Sequence, residues 1–193
     1  MADQASNHTA LDDDDRVTLR GVARDAIEHG LQYREPARLD PQQYSDRLQR
    51  RDASFVTIKS ADDDLIGCIG GLEARRPLVL DVSLNAFRAA FHDPRTDGVN
   101  RANWSGLRVT ISVLHSFRRL EVESNRELIQ SLRPHRDGVI VESGDCRATF
   151  LPSVWASLSD PARFVDELRR KAGLSTGAWS PDMRWTRYEV DSF

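Results

Sequence analysis

Cysteine is scarce in this chain: Cys68 and Cys146 are the only two in 193 residues. Two thiols so far apart exclude a disulfide framework, and a reducing, cytoplasmic setting is the expectation. Lysine is equally rare. Lys59 and Lys171 are the only lysines among 27 basic side chains, and the arginines that make up the rest form no cluster of more than a few residues. That scatter reads as base composition of the gene and not as a basic patch. The net charge of −3 argues further against a general nucleic-acid binder. No apolar run approaches the ~18 residues of a transmembrane helix, and the N-terminus lacks the basic-then-apolar order of a secretory signal. No pair of residues has C-x-x-C or H-x-x-x-H spacing; His29, His92, His115 and His135 are scattered. Neither a metal nor a cofactor is expected. Internal repeats and low-complexity linkers are absent too. With 39% hydrophobic and 30% charged residues, the chain has the balance of an ordinary globular protein large enough for one sizeable core.

Against this background one stretch is distinctive, Asp62-Asp63-Asp64-Leu65-Ile66-Gly67-Cys68-Ile69-Gly70-Gly71-Leu72. A surface loop has no need of Ile66, Ile69 and Leu72. A plain core strand is weakened by Gly67, Gly70 and Gly71. The mixture predicts a half-buried strand whose backbone is closely approached by another backbone, a ligand or a partner.

The remaining pattern predicts alternating helices and strands. Residues 1–15 are polar, end in four aspartates and read as a disordered lead-in; the aspartates favour the positive end of the helix that follows. That helix runs over 16–33, with Leu19, Val22, Ala23, Ala26, Ile27 and Gly30 on one stripe. Asp40-Pro41 starts another, faced by Tyr44 and Leu48. Residues 54–59 and 65–72 form a hairpin turned at 61–64. The strongest helical pattern covers 77–91 and stops at His92-Asp93-Pro94. The loop 95–106, carrying Trp104, is placed as a lid over the cysteine strand. A strand follows at 107–114, with 117–122 as its expected partner. Ser124-Asn125-Arg126-Glu127 is a capping box. A second hairpin joins 137–142 to 147–151. Asp160-Pro161 opens a helix ending near Gly173, and 185–193 reads as a last strand. Strands outnumber βαβ units, so the fold expected is α+β with a mainly antiparallel sheet packed with helices.

Several of these segments together resemble one family. Leu65-Ile66-Gly67-Cys68-Ile69-Gly70 resembles the Leu-Arg-Gly-Cys-Ile-Gly signature of the AMMECR family, whose bacterial members are called AmmeMemoRadiSam system protein A. Arg76-Pro77-Leu78, Ala89-Ala90-Phe91 after Asn85, Asp93-Pro94-Arg95 and Ile111-Ser112-Val113-Leu114 match in order. So do Arg136-Asp137-Gly138, Phe150-Leu151-Pro152 with Trp155, and Lys171-Ala172-Gly173-Leu174 with Trp179. The resemblance covers about residues 16–193. It implies a larger sheet-and-helix lobe with a smaller second lobe. It also implies Memo-like and radical SAM proteins as partners in a modification pathway; no reaction comes with it. Ile66 replaces the signature arginine, so no role of that guanidinium carries over.

Within this frame Gly67, Ile69, Gly70, Gly71 and Trp104 are the expected binding residues. Cys68 is the candidate nucleophile for acyl or group transfer, a role that requires an activating cation, histidine or helix N-terminus nearby; His92 and His115 are its candidate activators. The competing reading of Cys68 is a small thiol packed among glycines. The glycines do not have dinucleotide-fingerprint spacing, and Ser112 and Ser153 lack a nucleophile elbow. Arg133, Arg136 and Asp137 read as a polar cluster beside a cleft, or as a solvated turn. Trp155, Trp179 and Trp185 read as core or rim aromatics. The preferred function is an accessory or binding component, the competitor an enzyme using Cys68; the small-molecule ligand is not specified by the sequence.

Overall fold

The computed structural model describes residues 10–177 and 179–193. Of the expected lead-in over residues 1–15, residues 1–9 lie outside the described residues, while Leu11 and Asp15 are buried and so not part of a loose tail. The first helix, α1 (Asp13–Tyr33), begins earlier than the expected Arg16, because Asp12 caps it by accepting the Asp15 N–H at 2.7 Å. Three aspartates then fill its first turn, where the helix dipole favours anions. The anticipated stripe from Leu19 to Gly30 is buried as a unit. Gly30 lets α1 approach closely: a Cβ there would sit 2.3 Å from the Phe91 ring.

The helix expected from Asp40 divides in two. Asp40 caps only a short 3₁₀ turn, Pro41–Gln43, and Ser45 then caps α2 (Asp46–Gln49) with a bond to the Leu48 N–H. Two competing caps five residues apart leave no room for one helix. The hairpin follows as β1 (Ala53–Lys59) and β2 (Leu65–Gly70), and α3 (Leu78–Phe91) occupies the strongest predicted helix. The next strand, β3 (Arg108–Leu120), corrects the expectation of two paired strands: it runs unbroken through Ser116, whose φ of 54° bends the chain without reversing it. Then come α4 (Asn125–Ser131), β4 (Gly138–Ser143), β5 (Cys146–Phe150), α5 (Pro161–Lys171) and β6 (Arg184–Ser192).

The strand order is β2-β1-β3-β6-β4-β5, and every described ladder is antiparallel. The fold is α+β. The chain divides into two compact units, one reaching to Leu114 and completed by Asp191–Phe193, the other His115–Val190. In the first, Leu19, Ile27, Val56, Ile58, Val82 and Ile111 share one core between helices and strands. In the second and smaller, Trp155 stacks on Phe164 at 3.8 Å, with Leu128, Val139, Val141 and Trp185 around them.

Candidate functional site

β2 stands first in the strand order, so it has a neighbour on one side only. Its outward backbone groups need other partners. The residues that follow α3 supply them. Thr96 Oγ1 donates to the Ile66 carbonyl at 2.5 Å. The Cys68 N–H donates to Asp93 Oδ2 at 2.8 Å, and Arg95 Nη2 donates to the Cys68 carbonyl at 2.9 Å. Arg95 closes the ring by forking onto Asp93, with Nε 2.8 Å from Oδ1 and Nη2 2.6 Å from Oδ2. Asp93 and Arg95 thus clasp both backbone groups of Cys68 at the sheet edge.

The clasp is electrostatically tight. The Asp93 side chain is 1% exposed, that of Arg95 59%. Hydrogen bonds from Arg95 hold the Asp93 carboxyl well below the usual aspartate range; burial opposes this, and the N–H of Cys68 adds to it. Arg95 is raised in turn, first by Asp93 and more weakly by the Cys68 side chain. A guanidinium therefore stands beside the thiol although the signature arginine is absent.

Side chains of β2 alternate between two faces. On the helix side, a Cβ on Gly67 would lie 1.9 Å from the Ala89 carbonyl oxygen. The close approach expected at this glycine is that of α3. On the other face, the Thr57 hydroxyl donates to Cys68 Sγ at 3.3 Å across the ladder. Gly70 lies under the Phe55 ring, 2.3 Å from where its Cβ would be, while Gly71 faces open space. Ile69 is half-buried against the core.

Trp104 is not brought to this strand. Its indole donates to Glu28 Oε1 at 3.2 Å, and Arg24 sits 5.0 Å over its ring, both on α1. It is the beginning of the segment after α3 that covers the cysteine strand, through Asp93, Arg95 and Thr96. Of the expected histidine activators, His92 packs edge-on against Phe87 at 5.1 Å, and His115 Nδ1 bonds the Ser116 hydroxyl. Among the described residues no three His, Cys, Asp or Glu side chains cluster as metal ligands.

Where β2 ends, a cleft of about 270 Å³ opens, lined by Ile69, Gly70, Gly71, Arg75, Arg76 and Arg88. Its floor is a buried polar network the sequence did not announce. Asp81 Oδ2 accepts the Ser54 N–H at 3.1 Å, the Ser54 hydroxyl at 2.7 Å and Asn85 Nδ2 at 2.9 Å. Burial pushes the Asp81 carboxyl up, against these bonds and the nearby Arg76.

In the second unit Asp137 is fully buried, and Arg133 grips it through its backbone N–H at 2.8 Å and Nε at 2.9 Å. The Asp137 carbonyl accepts Trp155 Nε1 at 2.7 Å. Burial would raise Glu189, but bonds from Arg136 and Arg133 outweigh it and hold its carboxyl below the ordinary range. The anticipated polar cluster is thus a turn, exposed over Pro134, His135 and Arg136, that is tied down by the buried Asp137.

The AMMECR1 family model matches residues 21–193. The chain belongs to this family. A Methanothermobacter thermautotrophicus protein is 34% identical over 188 residues, 96% of this chain and 97% of that one. Protein MK0488 of Methanopyrus kandleri is 32% identical over 176 residues, 89% and 84% of the two chains. The crystal structure of the uncharacterized protein PH0010 from Pyrococcus horikoshii superposes with a TM-score of 0.82 at 28% identity, covering 91% of this chain and 88% of that one. No helix among the described residues of this AMMECR1-family chain is long and apolar enough to cross a membrane.

Proposed function

We propose that this chain is a binding or accessory component that acts in the cytoplasm, beside Memo-like and radical SAM proteins, in a modification pathway. The observation carrying the reading is the clasp at Cys68. Both backbone groups of this residue are held by Asp93 and Arg95. That arrangement fixes the shape of a sheet edge and asks nothing of the thiol. Gly70 and Gly71 continue the same edge, and Gly71 faces open space, so a partner can approach the backbone there. Ile69, Gly70 and Gly71 are the proposed contact residues, with Gly67 seating the strand on α3. Trp104 belongs to the surface only if a partner also reaches α1.

Co-purification with the Memo-like and radical SAM proteins of the same organism tests this. Cys68→Ala is expected to keep the association and Gly71→Glu to abolish it. The reverse pattern, or no association of the unmodified chain, defeats the proposal.

A second reading has one observation in its favour. The Arg95 guanidinium neighbours the Cys68 side chain, and such a cation is what a thiolate nucleophile in acyl or group transfer requires. Loss of a defined turnover in Cys68→Ala, with stability retained, would favour it.

A further inference from the structure

We propose that the cleft at the end of β2 is a binding site for a small organic oxyanion, a carboxylate or a phosphate. The inference deepens the reading of residues 69–71 as a binding surface and rests on it for the accessibility of that edge. It is carried by the state of the arginines that line the cleft. Arg76 has one ion pair, with Asp81 at 3.5 Å from Nε to Oδ1, and its guanidinium donates no hydrogen bond among the described residues. Arg88, on the exposed face of α3, has no partner among the described residues either. Arg75 spends Nε and Nη2 on Glu73. Two arginines whose guanidinium groups donate no hydrogen bond among the described residues therefore line one concavity, in a chain whose net charge is −3.

The floor explains why Arg76 stays there. Asp81 is buried and bonded by Ser54 and Asn85, so it is a fixed counter-charge that holds Arg76 at the cleft. Asn85 is fixed in turn by the Ser54 carbonyl at 3.1 Å. This is a supported arginine, held by buried neighbours that themselves have their bonds satisfied. At Gly71 a Cβ would meet nothing within 4 Å, so the rim is open to an incoming group. The lining charges are three arginines against Glu73 and Asp81; one net positive charge suits an anion. The volume of about 270 Å³ suits a small molecule. Planar forks of this kind match the two oxygens of a carboxylate or a phosphate.

Inorganic phosphate and succinate are titrated separately into the full chain by calorimetry at low ionic strength. At least one is expected to bind. Arg76→Gln and Arg88→Gln are each expected to weaken it about tenfold, the loss of a charge-assisted hydrogen bond. Arg108→Gln, which removes an exposed arginine paired with Asp63, is expected to leave it unchanged. Phosphate alone or succinate alone identifies which oxyanion the cleft takes. No heat from either, or equal weakening in all three variants, overturns the proposal. Unchanged melting temperatures keep misfolding out of the comparison. Co-purification with the protein partners separates the two readings: association that persists while neither anion binds sinks the oxyanion site alone, and association lost only in Gly71→Glu leaves the surface intact whatever the titrations give.

Discussion

The carboxylate of Asp93 accepts the backbone N–H of Cys68 at 2.8 Å, across 25 residues of chain. One buried side chain thereby replaces a missing neighbour strand at the edge of the sheet. It also restrains Arg95, whose guanidinium returns to the carbonyl of the same cysteine. The family signature around Cys68 and the Asp93-Pro94-Arg95 match are two halves of one hydrogen-bonded ring.

Removing Asp93 should therefore be felt at the strand. Asp93→Ala leaves the Cys68 N–H unpaired and Arg95 without its anchor, and should cost about 1–3 kcal/mol. Urea unfolding gives the loss. Amide exchange should rise at Cys68 far more than at Val56 on β1, which the clasp does not touch. Uniform exchange changes would contradict the clasp.

The same carboxylate predicts a pH dependence with a definite sign. Its folded pKa lies below its unfolded value of about 3.9. A depressed carboxyl contributes stability that is fully present above the unfolded pKa and lost as pH falls through the folded one. The stability gap between the unmodified chain and Asp93→Asn should thus be constant near neutrality and shrink on acidification below about pH 4. Stability curves at several pH values check this; a gap that widens on acidification contradicts it.

Asp137 is expected to matter more than its exposed neighbour Arg136. It has no exposure, and Arg133 meets it with both backbone and side chain. Asp137→Ala leaves the Arg133 backbone N–H without its acceptor, while the half-exposed Arg133 guanidinium keeps Glu189; the cost should be about 1–3 kcal/mol. Arg136→Ala removes only an exposed arm of the cluster and should cost about 1 kcal/mol or less. Chemical denaturation of the two variants gives the ordering, and near-equal losses would place Asp137 at the surface.

What was legible in the sequence follows from period and range. The stripe from Leu19 to Gly30 repeats every third or fourth residue, so one face of α1 could be read without knowing what covered it. The alternation at 54–59 likewise identified β1. The glycine-cysteine strand was recognisable as closely approached, because glycine in an apolar strand has few other uses. The identity of the neighbour was not: Ala89 is 22 residues from Gly67, and no local pattern encodes that meeting. Arg95 fell within the loop expected over the strand, but its bond to the Cys68 carbonyl was not legible, for the same reason. The turn at 134–136 was legible, but the burial of Asp137 at its end was not, because it depends on Trp155 and on the reach of Arg133.

At Gly67 and Cys68 the backbone should outweigh the side chain. Gly67→Ala places a methyl group 1.9 Å from the Ala89 carbonyl oxygen, a backbone atom in the last turn of α3 that cannot rotate away. The cost should be about 1–3 kcal/mol by overpacking. Cys68→Ala removes one half-buried sulfur and should cost about 1 kcal/mol or less. Thermal or urea unfolding of the two variants gives the order. The opposite order would mean that the thiol, and not the strand's seat on α3, holds this edge.

Arg95 distinguishes a clasp from an activated thiol. The guanidinium spans Asp93 and the Cys68 carbonyl at once, using Nε and Nη2. Lysine keeps the charge but cannot present a planar fork. If the fork matters, Arg95→Lys and Arg95→Gln should behave alike. Each should speed amide exchange at Cys68 about tenfold or more, the loss of a charge-assisted bond. Alkylation of Cys68 by iodoacetamide, measured with Cys146→Ser in the background, should then be no slower in either variant than in the parent, because a looser edge exposes the sulfur. If the charge matters instead, alkylation should slow in Arg95→Gln and recover in Arg95→Lys. That second pattern would make Arg95 the activating cation of a nucleophilic cysteine and turn the functional reading toward the enzyme.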